Sequence, residues 1–221
     1  MTIENNIRLD NEDIAKEIDW ANIDHYKEAN SKLGAPLNSD KRVVFIGDSI
    51  TENWGLIKPE FFSENKFINR GIGGQTTPQI LIRFRPDVIE LKPSLIVILA
   101  GTNDIAGNTG PTTINMIFNN IISMNELALS KGINVIISSV LPVYNYNWSN
   151  VKEPNKKIVD LNKILSDYTI EKNLLYLDYY SSMVDNRPGL KKEFSDDEVH
   201  PNKAAYEVMS ELALKAINTS L

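Results

Sequence analysis

The chain has 221 residues, with 23 basic against 29 acidic side chains, a net charge of −6 and no cysteine. An acidic chain without a basic stripe is not built to neutralise phosphates, which argues against nucleic acid as a partner. The missing thiols exclude disulfides, zinc–cysteine sites, iron–sulfur clusters and a cysteine nucleophile together.

The N-terminus, MTIENNIRLDNEDIAKEIDW, carries acids where a secretory signal carries a basic head and an apolar run. No stretch approaches the roughly 18 consecutive apolar residues of a membrane span. The expectation is a cytoplasmic protein with no transmembrane segment, secreted only if an upstream signal has been removed. Residues 1–40 read as an N-terminal helix and connector laid over one domain that takes up the rest of residues 1–221. His25 falls on the apolar stripe of that first helix, with Ile14 and Ala21, and is expected to be packed.

The first buried strand is expected at 42–47 (RVVFIG), because near-continuous apolar runs mark strands covered on both faces of a parallel sheet. It runs into Gly47-Asp48-Ser49-Ile50-Thr51. A serine at a strand-to-helix turn exposes its hydroxyl and aims its own N–H near a helix N-terminus, where negative charge is stabilised. A plain helix cap explains the same residues, since Asp and Ser are favoured there. A shorter strand at 66–69 (KFIN) precedes Asn69-Arg70-Gly71-Ile72-Gly73-Gly74-Gln75-Thr76. That block lacks the third glycine of a dinucleotide fingerprint, so it reads as a glycine turn through which backbone N–H groups approach a ligand, or as an ordinary tight turn. Arg83 and Arg85 follow, expected as solvated helix arginines.

A third strand at 95–100 (LIVILA) ends in Gly101-Thr102-Asn103-Asp104, where Asn103 can offer its amide to an oxyanion or simply form an Asx-turn. Helical spacing then links Ile114, Ile117, Ile121, Met124 and Ala128, and later Ile158, Leu161, Leu165 and Tyr168. Strands at 133–140 and 174–178 separate these helices. Asp197-Glu198-Val199-His200-Pro201 precedes a last helix carrying Ala205, Val208, Met209, Leu212 and Ala216. Asp and His three apart share one side of a turn, so the carboxylate can hold Nδ1–H and leave Nε2 free as a base. Asp196, Asp197, Glu198 and His200 also permit a metal reading, with no second histidine or cysteine near. Pro78, Pro111 and Pro201 are each expected at the first position of a helix.

Alternating strands and helices predict one doubly wound α/β domain with helices on both faces, and every chemically arguable block falls at a strand's carboxyl end. Gly-Asp-Ser, Asn-x-Gly-x-x-Gly-x-Thr, Gly-Thr-Asn-Asp and Asp-x-x-His, in this order, resemble the SGNH (GDSL) hydrolases over about residues 42–212. The resemblance implies a three-layer α/β/α fold with a five-stranded parallel sheet in flavodoxin-like order. It implies Ser49 as nucleophile, Asp197 and His200 as the rest of a triad, and an oxyanion hole from the Ser49 and Gly74 N–H groups with the Asn103 amide. Gln75 departs from the Asp common at its position, a change that touches substrate contacts more than chemistry.

The function expected from that resemblance is serine hydrolysis of carboxylic esters without metal or cofactor. Its substrate would be a small ester, of an acylated carbohydrate or a lipid. The loop 141–148 carries Tyr144, Tyr146 and Trp148, which suit a sugar ring or packing over the next helix, and Asp48 joins them as a candidate substrate contact. No long apolar stretch suggests a lid, so short acyl groups are favoured, as in the platelet-activating-factor acetylhydrolase-like and carbohydrate acetyl esterase subgroups. The alternatives are a lysophospholipase or thioesterase of the same family, or a non-catalytic flavodoxin-like binding module.

Overall fold

The computed structural model describes residues 19–36 and 41–221. A five-stranded parallel sheet of order β2-β1-β3-β4-β5 forms its centre, from β1 (Val43–Gly47), β2 (Ile68–Gly71), β3 (Leu95–Leu99), β4 (Asn134–Ser138) and β5 (Leu175–Leu177). Val44 lies opposite Ile68 on one side and Ile96 on the other, so β1 has a neighbour on each edge. Both β1 and β3 are buried along their whole length, which is why their sequences are apolar without alternation.

Alternation governs which face each residue covers. Val44, Ile46, Ile96 and Ile98 pack with Ile80 and Phe84 of α4 (Thr77–Asp87), Ile117, Ile121 and Met124 of α6 (Ile114–Leu129), and Leu161 and Leu165 of α7 (Pro154–Glu171). Val43, Phe45, Leu95 and Val97 turn to the other face. There they meet Trp54 of α2 (Ser49–Ile57), Phe61 and Phe62 of α3 (Pro59–Asn65), and Tyr206 and Met209 of α9 (Lys203–Ser220). Two short helices, α5 (Thr102–Ala106) and α8 (Tyr180–Met183), the N-terminal α1 (Lys27–Lys32) and two 3-10 turns, Ile89–Leu91 and Lys192–Phe194, complete the described elements.

The order places β2 on one side of β1 and β3 on the other, so the chain departs in opposite directions from the carboxyl ends of β1 and β3. Such a switch point leaves a crevice where ligands bind in doubly wound sheets. Ser49 follows β1, Gly74 follows β2, and Asn103 follows β3 into it.

Several sequence expectations need correction. The second strand is 68–71 rather than 66–69, because Lys66 adopts a left-handed conformation (φ 56°) as it closes α3. Of the three prolines, only Pro78 lies in a first helical turn; Pro111 precedes the Thr113 cap of α6, and Pro201 precedes the Asn202 cap of α9. Pro59 and Pro154 instead open α3 and α7. His25 is exposed on a turn ahead of α1, so it is not the packed histidine its spacing suggested; Ile14, on which that stripe was drawn, lies outside the described residues. Arg85 is exposed as expected, but Arg83 is fully buried.

Candidate active site

Asp48 caps α2, accepting from Ile50 N–H at 2.9 Å, and leaves Ser49 as the first helical residue. The N–H groups of a helix's first turn have no partner within the helix and carry its positive end. Asp48 itself is 1% exposed, and burial pushes its carboxyl up to about 7 against the pull of the Ile50 N–H. It is therefore a buried cap and not a surface that touches substrate.

Ser49 Oγ stands 3.1 Å from His200 Nε2, although 151 positions separate them. His200 Nδ1 stands 2.7 Å from Asp197 Oδ2. The His200 and Val199 N–H groups both donate to Asp197 Oδ1, at 2.7 and 2.9 Å, and Ser195 Oγ donates at 3.1 Å. Partial burial resists ionisation of Asp197, but the His200 ring and these backbone donors outweigh it and hold the carboxyl down to about 2. A permanent anion thus holds Nδ1 protonated and turns Nε2 toward the serine. The tight return depends on Glu198, whose backbone is left-handed (φ 66°) and whose carboxylate meets Arg187 at 3.3 Å. Asp197 and Glu198 of the acidic run therefore face an imidazole and a guanidinium respectively, and the run does not gather into a metal-binding group among the described residues.

The glycine block brings N–H groups to the same place. Gly73 N–H donates to Glu52 Oε2 at 3.0 Å, and the Gly74 N–H makes no hydrogen bond among the described residues. Gly74 has φ +74°, a conformation that favours glycine. Asn103 is 3% exposed and donates from Nδ2 to Gln75 O at 3.0 Å, using one of the two hydrogens on that nitrogen. Asp104 does not reach the crevice, because its carboxylate accepts from Thr77 N–H and Oγ–H at 2.8 and 2.6 Å and ties α5 to the start of α4.

The aromatic loop divides. Tyr146 is 1% exposed and its hydroxyl meets Thr102 Oγ1 at 2.7 Å, so it packs beneath the site and offers no face to a sugar ring. Trp148 lies above it, half-exposed and stacked on the His200 ring at 6.1 Å. Tyr144 is also half-exposed, but its ring lies under the Arg187 guanidinium. Sequence reasoning passed over Glu52 and Asn108. Each acts on the glycine turn from a distant element, and no local spacing marks that.

Fold and site together define a hydrolytic enzyme of the α/β class. Residues 45–208 match the model of the GDSL-like lipase/acylhydrolase family, and the chain belongs to that family of esterases and acylhydrolases. A crystal structure of a candidate acylhydrolase from Bacteroides fragilis is 45% identical with a TM-score of 0.90, covering 91% of this chain and 98% of that one. A GDSL-like lipase from Bacteroides thetaiotaomicron is 42% identical with a TM-score of 0.90, covering 91% and 100% respectively. Among curated proteins, the platelet-activating factor acetylhydrolase IB subunit alpha1 of Rattus norvegicus is 32% identical over 96 residues, 42% of this chain and 39% of that protein. The chain matches half or less of the length of the first curated relatives.

Proposed function

We propose that the protein hydrolyses short-chain acyl esters, acetyl esters foremost, with Ser49 as nucleophile. The observation that carries this reading is the continuous Ser49–His200–Asp197 chain, with gaps of 3.1 and 2.7 Å. In it, His200 Nε2 takes the Ser49 proton as Oγ attacks the ester carbonyl carbon. The carbonyl oxygen becomes an anion held by the Ser49 and Gly74 N–H groups and the second Asn103 amide hydrogen. Collapse breaks the bond to the alcohol oxygen, which leaves with the proton from His200. Water, deprotonated by the same nitrogen, then attacks the acyl-serine carbon; the bond to Ser49 Oγ breaks, His200 returns the proton to Oγ, and the acid is released. Asp197 stays ionised throughout and stabilises the imidazolium.

The acetyl preference draws on the similarity to a protein named for acetyl hydrolysis. The test is covalent labelling with a serine-directed phosphonate, followed by a series of p-nitrophenyl esters of rising chain length. Wild type should take up one label, Ser49→Ala none while still folded, and hydrolysis should fall as the acyl chain grows. A Ser49→Ala protein that labels fully would refute the nucleophile, and a long-chain optimum would refute the acetyl preference.

A further inference from the structure

We infer that Asn108, exposed on the loop after α5, is a positioning residue that sets the orientation of the oxyanion donors. This rests on the oxyanion-hole reading above and deepens it. Asn108 Nδ2 donates both to Gly74 O at 3.1 Å and to Asn103 Oδ1 at 3.0 Å, while its Oδ1 accepts from Trp148 Nε1–H at 3.2 Å. One side chain therefore holds the peptide unit beside one proposed donor, the amide of another, and the indole stacked on His200.

The directions in this chain of bonds are fixed by groups that have no choice. A backbone carbonyl only accepts and an indole N–H only donates. Gln75 O therefore requires Nδ2 of Asn103 on its side, at 3.0 Å, which turns Asn103 Oδ1 toward Asn108. Gly74 O requires Nδ2 of Asn108, and Trp148 Nε1–H requires its Oδ1, so the Asn108 amide cannot invert without opposing like groups at both ends. Each constraint agrees with the others. The result is a single arrangement in which the spare Asn103 hydrogen has one direction. Without Asn108, the Asn103 carbonyl loses its donor and the amide is held by Gln75 O alone. Glu52 secures the preceding N–H of the same turn, so Asn108 and Glu52 hold it at two successive residues.

Donors fixed before reaction act on the transition state more than on the bound ester, so the effect belongs in kcat. The experiment is a double-mutant cycle of Asn108→Ala and Asn103→Ala on p-nitrophenyl acetate, with Asn108→Asp alongside and melting temperatures for every variant. Asn108→Ala should lower kcat about 10- to 100-fold with KM and melting temperature near wild type, as expected of a small misplacement of reacting groups. Asn108→Asp should be worse, because a carboxylate would face Gly74 O and Asn103 Oδ1 with nothing to donate. In the Asn103→Ala background the Asn108→Ala loss should shrink to the part exerted through Gly74 O. Equal losses in both backgrounds, or an Asn108→Asp enzyme as active as wild type, would overturn the inference while leaving the oxyanion hole standing. A fully active Asn103→Ala enzyme would instead overturn the oxyanion reading and this inference with it.

Discussion

Asp48 and Asn103 both read locally as turn or cap residues, and both have consequences that a cap alone would not produce. Burial raises the Asp48 carboxyl to about 7, above its unfolded value of about 3.9, so the folded protein binds the extra proton between those limits. Stability therefore falls as pH rises through that window, by at most about 1.4 kcal/mol for each pH unit, and levels off above it. This is the reverse of a salt-bridged carboxylate. Asn accepts from the Ile50 N–H equally well and stays neutral. Asp48→Asn should accordingly melt close to wild type near pH 4 and above it at pH 8, in thermal scans across that range. For Asn103, on the proposed mechanism, replacement by Asp removes both amide hydrogens and places an acceptor where negative charge would develop. The expected loss in kcat is about 10²–10³-fold or more, with KM little changed. Were Asn103 only a turn former, Asp would serve nearly as well. A fully active Asn103→Asp enzyme would remove it from the site.

At the scale of elements, the approach of β2 to α2 decides how closely the glycine turn and Ser49 meet. Gly71 ends β2 so near α2 that a Cβ there would overlap the Glu52 nitrogen and the Asp48 and Thr51 backbone. None of these is a flexible side-chain end. Gly71→Ala should cost about 1–3 kcal/mol of stability by overpacking and move the turn away from Ser49, read by denaturant melts and kcat together. An alanine variant with wild-type stability and rate would show that the approach has slack. The strands themselves were legible in sequence because a central parallel sheet demands apolar runs, as at 42–47 and 95–100. The serine and asparagine blocks were legible because each sits directly after such a run, whereas the glycine block begins inside β2 itself and was marked only by its glycines. Arg83 was not legible. Its partners Gln75 and Gly47 lie outside its helix, and the Asp87 pair at i+4 looks the same in sequence on a solvated face as in a core. Tyr146 was left open between ligand contact and packing for a related reason, since an aromatic in a loop looks the same whether it faces solvent or Thr102.

Across the whole molecule, a polar network ties the N-terminal segment to the carboxyl end of the sheet. Arg83 and Asp87 form a fully buried ion pair at 3.0 Å. A buried pair is tolerated only when its remaining donors and lone pairs are also engaged. Arg83 Nη2 donates to Gly47 O at 2.8 Å, one residue before Asp48, and Nε donates to Gln75 at 2.5 Å. The other oxygen of Asp87 accepts from Asn30 Nδ2 at 2.8 Å, and Asn30 Oδ1 accepts from Arg70 at 2.8 Å. Nearby, Tyr26 donates to Gly71 O, and Gln75 donates to Ala21 O at 2.7 Å. Residues 19–36 thus supply partners that the charges beneath them need. Asn30→Ala should leave Asp87 and Arg70 each short of one bond, a loss of about 1–3 kcal/mol. Each kcal/mol should lower the melting temperature by about 2–4 °C in a protein of this size. Lys32→Ala is the control, because its pair with Glu28 is exposed on both sides and such pairs contribute about 0–1 kcal/mol. If Asn30→Ala melted with Lys32→Ala and wild type, the segment would be laid on the surface without bearing on the buried charges. A clear drop for Asn30→Ala alone is the result expected of a segment built into the same network that ends beside Ser49.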